Sequence, residues 1–297
     1  MSRNAEASSG DNRRDFIYTS ADFARVRKMI YTKAGISLSD SKQDMVYSRL
    51  ARRLRVLGGE RFSDYLDALD SDEDCAEWQN FTNALTTNLT SFFREAHHFD
   101  ILENILAKRK KERSTIWCSA ASTGEEPYSI AITAIEAFGK INPPVCILAT
   151  DIDTQVLQAA SNGVYPMERV ESLGAEKLKK FFKRGTGQHE GYVKVADCLR
   201  QLVTFRQLNL LDEKWPIKNP FDAIFCRNVM IYFDKPTQRA ILGRMKPLIK
   251  PDGLLFCGHS ESFHNATDLF RATGRSVYVP VTVQSAAHAS SHPMRAG

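Results

Sequence analysis

The sequence lacks several patterns that mark large classes of protein. Its six cysteines are scattered, with no Cys-x-x-Cys spacing and no histidine pair near them. This argues against a zinc site and a disulfide framework, so we expect no metal. No apolar run approaches the roughly 20 residues of a membrane-spanning helix, and the first residues are polar rather than signal-like. We therefore expect a cytoplasmic protein without membrane insertion.

A strong excess of charge is also missing. Lys and Arg number 40 against 35 Asp and Glu, a net charge of +5 over 297 residues. This mild positive charge suggests an acidic partner surface but does not indicate a nucleic-acid-binding protein. The chain exceeds the usual size of one domain, which favours two domains. We expect a monomer.

Composition and periodicity divide the chain into segments. Residues 1–15 and 284–297 are rich in small polar residues, which predicts disordered tails. Residues 16–86 carry apolar stripes at helical spacing and predict an all-helical domain. Residues 87–283 alternate buried strands with amphipathic helices, which predicts an α/β domain with a parallel sheet.

The second helix of the first domain carries four arginines: Arg49, Arg52, Arg53 and Arg55. Arginine is a good helix former, so a solvated helix face is one explanation. No acidic residue follows at i+3 or i+4 to pair these arginines, which would leave a concentrated positive field. A docking role is the other explanation, and the sequence leaves both open.

The most informative stretch is 115–129, where a short apolar run breaks into small residues and Gly124 before an amphipathic segment. This predicts a strand, a tight turn and a helix, a turn suited to close approach of a ligand. Glu125 and Glu126 would repel a pyrophosphate but could bind an amino group or a cation, both of which S-adenosylmethionine carries. A plain turn with a solvated acidic first helical turn is the alternative.

Further polar residues are predicted at the carboxyl ends of neighbouring strands. Asp151 closes the strand after the first helix of this domain, a position from which a carboxylate can grip a ribose. Asp153 is better explained as the cap of the next helix. Asn209, Arg227 and Asn228 follow later strands, and ligands of parallel sheets collect at this edge.

The connection between the domains runs through 85–99, a polar and then aromatic segment. Its phenylalanines favour burial, so we expect Asn88, Thr90 and Arg94 to be held in place near a ligand cleft. His97 and His98 do not predict a metal site, because adjacent helical positions point in different directions.

Residues 181–206 interrupt the alternation of strands and helices with short strands and a Gly-rich turn, which predicts an inserted antiparallel subdomain. The strand 202–206 is assigned to this insertion. Its basic edge, with Lys183, Arg184 and Lys194, could accept an extended peptide by strand addition or could be a structural wing.

Several of these motifs together resemble the chemotaxis receptor methyltransferases of the CheR type. The matching segments are 86–90 with 93–95, 121–129, 151–153 and 225–233, the last of which contains the specific string Cys-Arg-Asn-Val-Met-Ile-Tyr-Phe. The resemblance covers residues from about 20 to about 280. It implies a Rossmann-like class I S-adenosylmethionine-dependent methyltransferase domain after an all-α domain.

The resemblance further implies transfer of a methyl group from S-adenosylmethionine to glutamate side chains of bacterial chemoreceptors, leaving S-adenosylhomocysteine. It implies that the residues lining the cofactor site are Asn88, Thr90, Arg94, Glu125, Asp151, Asn209, Leu210, Arg227 and Asn228. Arg94 and Tyr232 would lie nearest the departing methyl group as catalytic residues. The arginine-rich helix would contact the receptor. The insertion would bind the receptor's C-terminal peptide through Arg184, Gly185 and Gly187.

The chemistry fits what the sequence omits. A glutamate carboxylate is already ionised at neutral pH and needs no general base, and no catalytic Ser, Cys or His constellation is evident. A nucleic-acid methyltransferase is disfavoured by the absence of an Asn/Asp-Pro-Pro-Tyr motif. The sequence distinguishes poorly between an enzyme and a non-catalytic adaptor, although Arg94, Asp151 and Tyr232 argue against an adaptor.

Overall fold

The computed structural model describes residues 15–109 and 112–282 and divides them into two compact units. Apart from Asp15, the two expected tails lie outside the described residues. In the part of the chain that the structure describes, no helix combines the length and the apolar character needed to cross a bilayer.

The first unit, residues 15–33 and 38–85, is helical. Its helices are α1 (Ser20–Ala34), α2 (Gln43–Leu57), α3 (Phe62–Ser71) and α4 (Glu77–Leu85). The stripe Val46, Leu50 and Leu54 is fully buried on α2, which packs against α4. Gly58 ends α2 in the left-handed region at φ 69°, as helix-stopping glycines do.

Two of the four arginines of α2 have acidic partners from elsewhere in this unit. Arg53 donates Nε to Glu77 Oε1 at 2.9 Å and Nη2 to Glu77 Oε2 at 2.6 Å. Arg55 pairs with Asp15 at 2.5 Å. The expectation of four unpaired charges is therefore wrong, because pairing across the tertiary structure replaces the missing i+4 partners. Arg52 is exposed and has no ion pair within the described residues.

The second unit, residues 34–37 and 86–282, is an α/β domain. Its strands are β1 (Ser114–Cys118), β2 (Val145–Asp151), β3 (Val164–Pro166), β4 (Phe182–Arg184), β5 (Tyr192–Val195), β6 (Val203–Gln207), β7 (Phe221–Cys226), β8 (Ile249–Cys257), β9 (Phe270–Gly274) and β10 (Val277–Pro280). Its helices are α5 (His97–Lys108), α6 (Glu125–Phe138), α7 (Thr154–Asn162), α8 (Ala175–Phe181), α9 (Asp197–Arg200) and α10 (Lys235–Met245).

The central sheet has the order β6-β2-β1-β7-β8-β10-β9. The strands from β6 to β8 are parallel, while β10 and β9 add an antiparallel edge. All residues of β7 are buried, as expected of a parallel strand covered on both faces. One core cluster contains residues of α5 and α6, and a second contains residues of α10. The predicted Rossmann-like α/β fold is confirmed.

The insertion differs in one element from its expected form. A small antiparallel sheet does form, in the order β3-β5-β4. Its third strand, however, is Val164–Pro166 and not the segment near residue 203. Val203–Gln207 pairs in parallel with β2 at the edge of the central sheet, so its assignment to the insertion was wrong. Alternating polarity alone does not distinguish an edge strand of one sheet from that of another.

Candidate functional site

Several predicted site residues follow strands at one edge of the central sheet. Asp151 closes β2, Arg227 and Asn228 follow β7, and Asn209 follows β6. The strand order reverses between β1 and β7, because β2 and β6 lie on one side of β1 and the later strands on the other. Such a reversal leaves a crevice at the carboxyl ends of the strands where ligands bind.

Asp151 is a buried carboxylate that already holds backbone groups. Its Oδ2 accepts from Ser122 N at 2.8 Å and its Oδ1 from Asp153 N at 3.0 Å. Burial raises the pKa of Asp151 to about 6, although these N–H groups favour the ionised form. Asp153 caps α7 through Gln155 N and Val156 N, as predicted. A backbone N–H of Ile152 also bonds to Asp151, which leaves part of the accepting capacity of the carboxylate for a ligand hydroxyl.

The segment that carries Asn88 is tied to this edge. Asn88 Nδ2 and Thr86 Oγ1 donate to Asp153 Oδ2 at 2.9 and 2.8 Å. Ser122 Oγ donates to the Asn88 carbonyl at 3.0 Å. These bonds place Asn88 beside the turn after β1, close to the carboxylate of Asp151.

Glu125 begins α6 and is only 1% exposed. Its Oε2 accepts from Thr123 Oγ1 at 2.6 Å, and its Oε1 accepts from Arg169 Nη1 at 3.0 Å. The same Arg169 nitrogen reaches the Thr90 carbonyl at 3.3 Å. Glu125 and Thr90, both expected to line the cofactor site, are therefore brought together through one arginine. A solvated acidic turn does not describe Glu125.

Arg227 is also buried, and it connects the loop that contains Arg94 to helix α6. Its Nη1 donates to Glu126 Oε2 at 2.8 Å and its Nη2 to the Arg94 carbonyl at 2.5 Å. Cys118 Sγ lies 3.2 Å from Glu126 Oε1 as a second donor. Burial nevertheless raises the pKa of Glu126 above its ordinary value, against the opposing effect of Arg227. The Nε of Arg227 is buried without a partner among the described residues.

Asn228 adopts the left-handed backbone conformation at φ 58°. Its N–H donates to Glu261 Oε2 at 2.9 Å, and Met230 N donates to Glu261 Oε1 at 2.8 Å. A Cβ at Gly258, after β8, would lie 2.9 Å from the backbone N of Asn228, which favours a glycine there. Glu261 thus fixes the loop after β7 through backbone contacts.

The other predicted site residues have different surroundings. Asn209 accepts from Leu211 N at 3.0 Å and so shapes its own loop, while the Leu210 side chain is part of the core. Tyr232 is half-buried, and its carbonyl accepts from Ser37 N at 2.9 Å. Arg94 donates Nη1 to the Leu89 carbonyl at 3.0 Å.

Gly124 is required by packing within the fold. It caps α6 at φ 101°, and a Cβ there would meet Tyr165 Oη at 2.7 Å and Ala160 Cβ at 2.9 Å. The space that a Cβ would need is therefore occupied by α7 and the strand that follows it. This corresponds to the glycine that permits close helix packing in nucleotide-binding turns.

His97 and His98 converge, contrary to the expectation that adjacent positions diverge. Their Nε2 atoms lie 3.2 and 2.9 Å from the Arg275 carbonyl, and ligand atoms of both lie near Glu95. Burial lowers the pKa of His98 to about 4, so its ring is neutral at pH 7. A neutral ring with Nε2–H donating to a carbonyl explains His98 as a core residue.

The residues expected to contact a receptor tail lie in the small sheet. Arg184 ends β4 and is exposed. A Cβ at Gly185 would lie 2.0 Å from the His189 carbonyl oxygen, and Gly187 has φ 60°. Both glycines are thus required by the turn itself. Lys183, on the predicted basic edge, pairs with Asp197 at 2.9 Å.

A cavity of about 370 Å³ lies away from the predicted site. It opens beside β9 and β10, and its walls include Phe263, Phe270 and Tyr278. None of the predicted site residues lines it. The candidate functional site is therefore the edge at the strand ends, where the polar residues converge.

Sequence reasoning assigned no role to two residues of this edge, Arg169 and Glu261, and it gave Glu126 a possible ligand contact but not its ion pair with Arg227. Glu126 was visible as a second acidic residue at the start of α6. Arg169 and Glu261 lie in irregular segments without periodicity, and their partners are distant in sequence. No local signal could have identified them.

Replacing Arg227 by Met should lower the free energy of unfolding by about 3–5 kcal/mol, because Glu126 would stay buried without its partner. The double variant Glu126→Gln with Arg227→Met should lose clearly less, since Glu126 is then neutral and only Glu95, at 3.5 Å from Arg227 Nη2, loses a charged partner. Urea unfolding of both variants and of Glu126→Gln measures this coupling. Additive losses would contradict the coupling of this pair.

Comparison with known proteins follows the same division of the chain. Residues 21–86 match the family model described as CheR methyltransferase, all-alpha domain, and residues 88–279 match CheR methyltransferase, SAM binding domain. The "Chemotaxis protein methyltransferase 2" of Pseudomonas aeruginosa is 55% identical over 269 residues, covering 90% of this chain and 95% of the relative.

Two enterobacterial proteins, each named "Chemotaxis protein methyltransferase", are similarly close. That of Salmonella typhimurium is 53% identical over 258 residues, covering 87% of this chain and 89% of the relative. That of Escherichia coli is 52% identical over 258 residues, covering 87% and 90%. Both family models cover the two compact units in order, and the chain therefore belongs to the CheR methyltransferase family, with S-adenosylmethionine as its cofactor.

Proposed function

We propose that this protein transfers the methyl group of S-adenosylmethionine to glutamate side chains of bacterial chemoreceptors, forming glutamyl methyl esters. The single observation that carries the proposal is the match of the larger unit to a CheR SAM binding domain, at whose strand ends Asp151 and Glu125 lie buried. The names of the relatives support chemotaxis as the process.

The donor set of the site fits this cofactor. Asp151 offers carboxylate oxygens at the end of the second strand of the sheet, where a ribose is gripped in related folds. Glu125 offers a carboxylate to an ammonium group at the start of α6, where a phosphate would be repelled. Asn88, Thr90, Asn209 and Asn228 supply neutral polar groups around this edge. The Leu210 side chain is buried and its carbonyl accepts from Arg244 Nη2 at 2.8 Å, so the backbone N–H is the part that we assign to a ligand.

When bound, the cofactor supplies an electrophilic methyl group on a positively charged sulfur. The task left to the protein is to bring a receptor carboxylate into line and to exclude water. The carboxylate is ionised at neutral pH, so no residue has to remove a proton. This agrees with a site built from arginine, asparagine and carboxylates.

Arg94 and Tyr232 are the residues that we assign to the incoming carboxylate. Among the described residues, only Nη1 of the Arg94 guanidinium has a hydrogen-bond partner, so the other nitrogens can steer an anion. The Tyr232 hydroxyl has no partner in the same range and can donate to the carboxylate. Arg227 is assigned a supporting role, because it donates to the backbone of Arg94 and to Glu126.

We propose that the receptor contacts the exposed part of α2 and the small sheet. Arg52 is the exposed arginine of α2 without an ion pair in the described chain, whereas Arg53 is engaged with Glu77. Arg49 and Arg55 flank Arg52 on the helix. On the small sheet, Arg184 and the turn that contains Gly185 and Gly187 form the surface that we assign to a receptor C-terminal peptide.

Incubation with labelled S-adenosylmethionine and receptor-containing membranes should place the label on the receptor as an alkali-labile ester. Mild base should then release it as volatile methanol, because carboxyl esters hydrolyse under conditions that spare N-methyl groups. Scintillation counting after gel separation measures this. Label that survives mild base, or that appears on RNA, would reject the proposed function.

The affinity for S-adenosylhomocysteine should fall as the pH is lowered from 7.5 to 5. The pKa of Asp151 is about 6 without ligand, and ribose hydroxyls donate to the ionised form, so protonation below pH 6 opposes binding by up to about tenfold per pH unit. Calorimetric titration measures this. Asp151→Asn should bind weakly with a flat profile in this range, while the exposed Asp197→Asn should behave as wild type. An unchanged profile in Asp151→Asn would remove its ribose role.

Arg52→Glu should slow receptor methylation several-fold without changing cofactor affinity or the free energy of unfolding, because its side chain is exposed. Arg53→Gln is the matched control for structure. It should lower the free energy of unfolding by about 1–2 kcal/mol, since it leaves the partly buried Glu77 without its arginine. Initial methylation rates and urea unfolding separate the two effects. A wild-type rate in Arg52→Glu would argue against docking through α2.

A further inference from the structure

Arg169 connects the inserted small sheet with the predicted cofactor site. It ends the short 3-10 turn Met167–Arg169, which directly follows the edge strand β3. Its Nη1 donates to Glu125 Oε1 at 3.0 Å and to the Thr90 carbonyl at 3.3 Å. One guanidinium thus contacts two segments that we assign to cofactor binding.

The segment that carries Arg169 is held firmly against the turn after β1. Tyr165 of β3 is 4% exposed and donates its hydroxyl to the Thr123 carbonyl at 2.7 Å. Its ring packs edge-on against Phe92 at 5.2 Å between centroids. Because these contacts fix β3, the position of Arg169 is set by the fold and not only by its own ion pair.

The guanidinium also has unused binding capacity. The Arg169 side chain is 46% exposed, and Nε and Nη2 have no hydrogen-bond partner within residues 15–109 and 112–282. The other two arginines of this edge have other contacts or other assigned roles. Arg227 is buried on Glu126, and Arg94 is the residue assigned to the incoming carboxylate.

The amino-acid end of S-adenosylmethionine is a zwitterion, with an α-ammonium and an α-carboxylate on one carbon. A carboxylate and a cation side by side match these two charges. Glu125 and Arg169 form such a pair, with the carboxylate buried and the cation partly open. A guanidinium also binds a carboxylate through two parallel N–H groups, which a single ammonium cannot do.

Building on the proposed function, we propose that Arg169 is a cofactor-binding residue that takes the α-carboxylate of the methionyl group, while Glu125 takes the adjacent α-ammonium. The small sheet therefore contributes to the cofactor site through Arg169, which ends the short turn after β3. A purely structural Arg169 would neutralise Glu125 and would have no preference for a ligand carboxylate.

Calorimetric titration with two ligands distinguishes these roles. S-adenosylhomocysteine carries both charged groups, whereas its decarboxylated analogue, S-adenosyl-3-thiopropylamine, keeps only the ammonium. Arg169→Gln should weaken S-adenosylhomocysteine binding at least about tenfold, the scale of one charge-assisted contact. It should leave the affinity for the amine unchanged or tighter, because Glu125 is released. Arg169→Lys should recover part of the loss, and the exposed Arg271→Gln should match wild type for both ligands.

Equal weakening for both ligands would show that Arg169 only supports Glu125 and would overturn the inference. So would unchanged binding of S-adenosylhomocysteine in Arg169→Gln. Retained binding of the amine shows that the variant is folded. A wild-type protein that binds neither ligand would overturn the proposed function and this inference together, whereas wild-type binding with an indifferent Arg169 overturns the inference alone.

Discussion

The buried ion pair between Arg227 and Glu126 stands at the position where the strand order of the central sheet reverses. Arg227 follows β7, and Glu126 lies in the first turn of α6 after β1, so the pair joins the two halves of the sheet at their carboxyl ends. A charge buried this deeply is stable only with its partners in place. Because Arg227 also donates to the Arg94 carbonyl, the pair also sets the course of the loop between residues 89 and 96.

Carboxylates play a corresponding part on both sides of β1. Asp151 and Glu261 accept backbone N–H groups from the loops after β1 and β7, and Asp153 accepts those of the first turn of α7. Backbone polar groups in such loops have no sheet or helix partners, and a buried side chain that satisfies them holds the loop in one conformation. The acidic residues of this edge therefore serve the architecture first. The cofactor would bind to lone pairs and donors that remain after these contacts are made.

The sequence predicts the fold well where the signal is local. The buried run of β7, the helical stripe of α2 and the capping role of Asp153 follow from periodicity and from one residue type in one position. It fails where the answer depends on contacts distant along the chain. The partner of Arg53 is 24 residues away, and β6 joins the central sheet by pairing with β2 more than 50 residues earlier. Neither relation leaves a trace in hydrophobic spacing.

The candidate site shows the same limit in chemical form. Asp151 and Glu125 could be recognised because strand ends and helix starts are marked in the sequence, but their environment could not. Burial shifts the pKa of Asp151 toward neutrality, and Glu125 turns out to share an arginine with the loop of Thr90. Arg169 lies in a short turn after β3, where no periodic pattern in the sequence indicates which way a side chain points. The small sheet and the turn after it thus hold the segment between β1 and α6 in place, through Tyr165 at the Thr123 carbonyl and through Arg169 at Glu125.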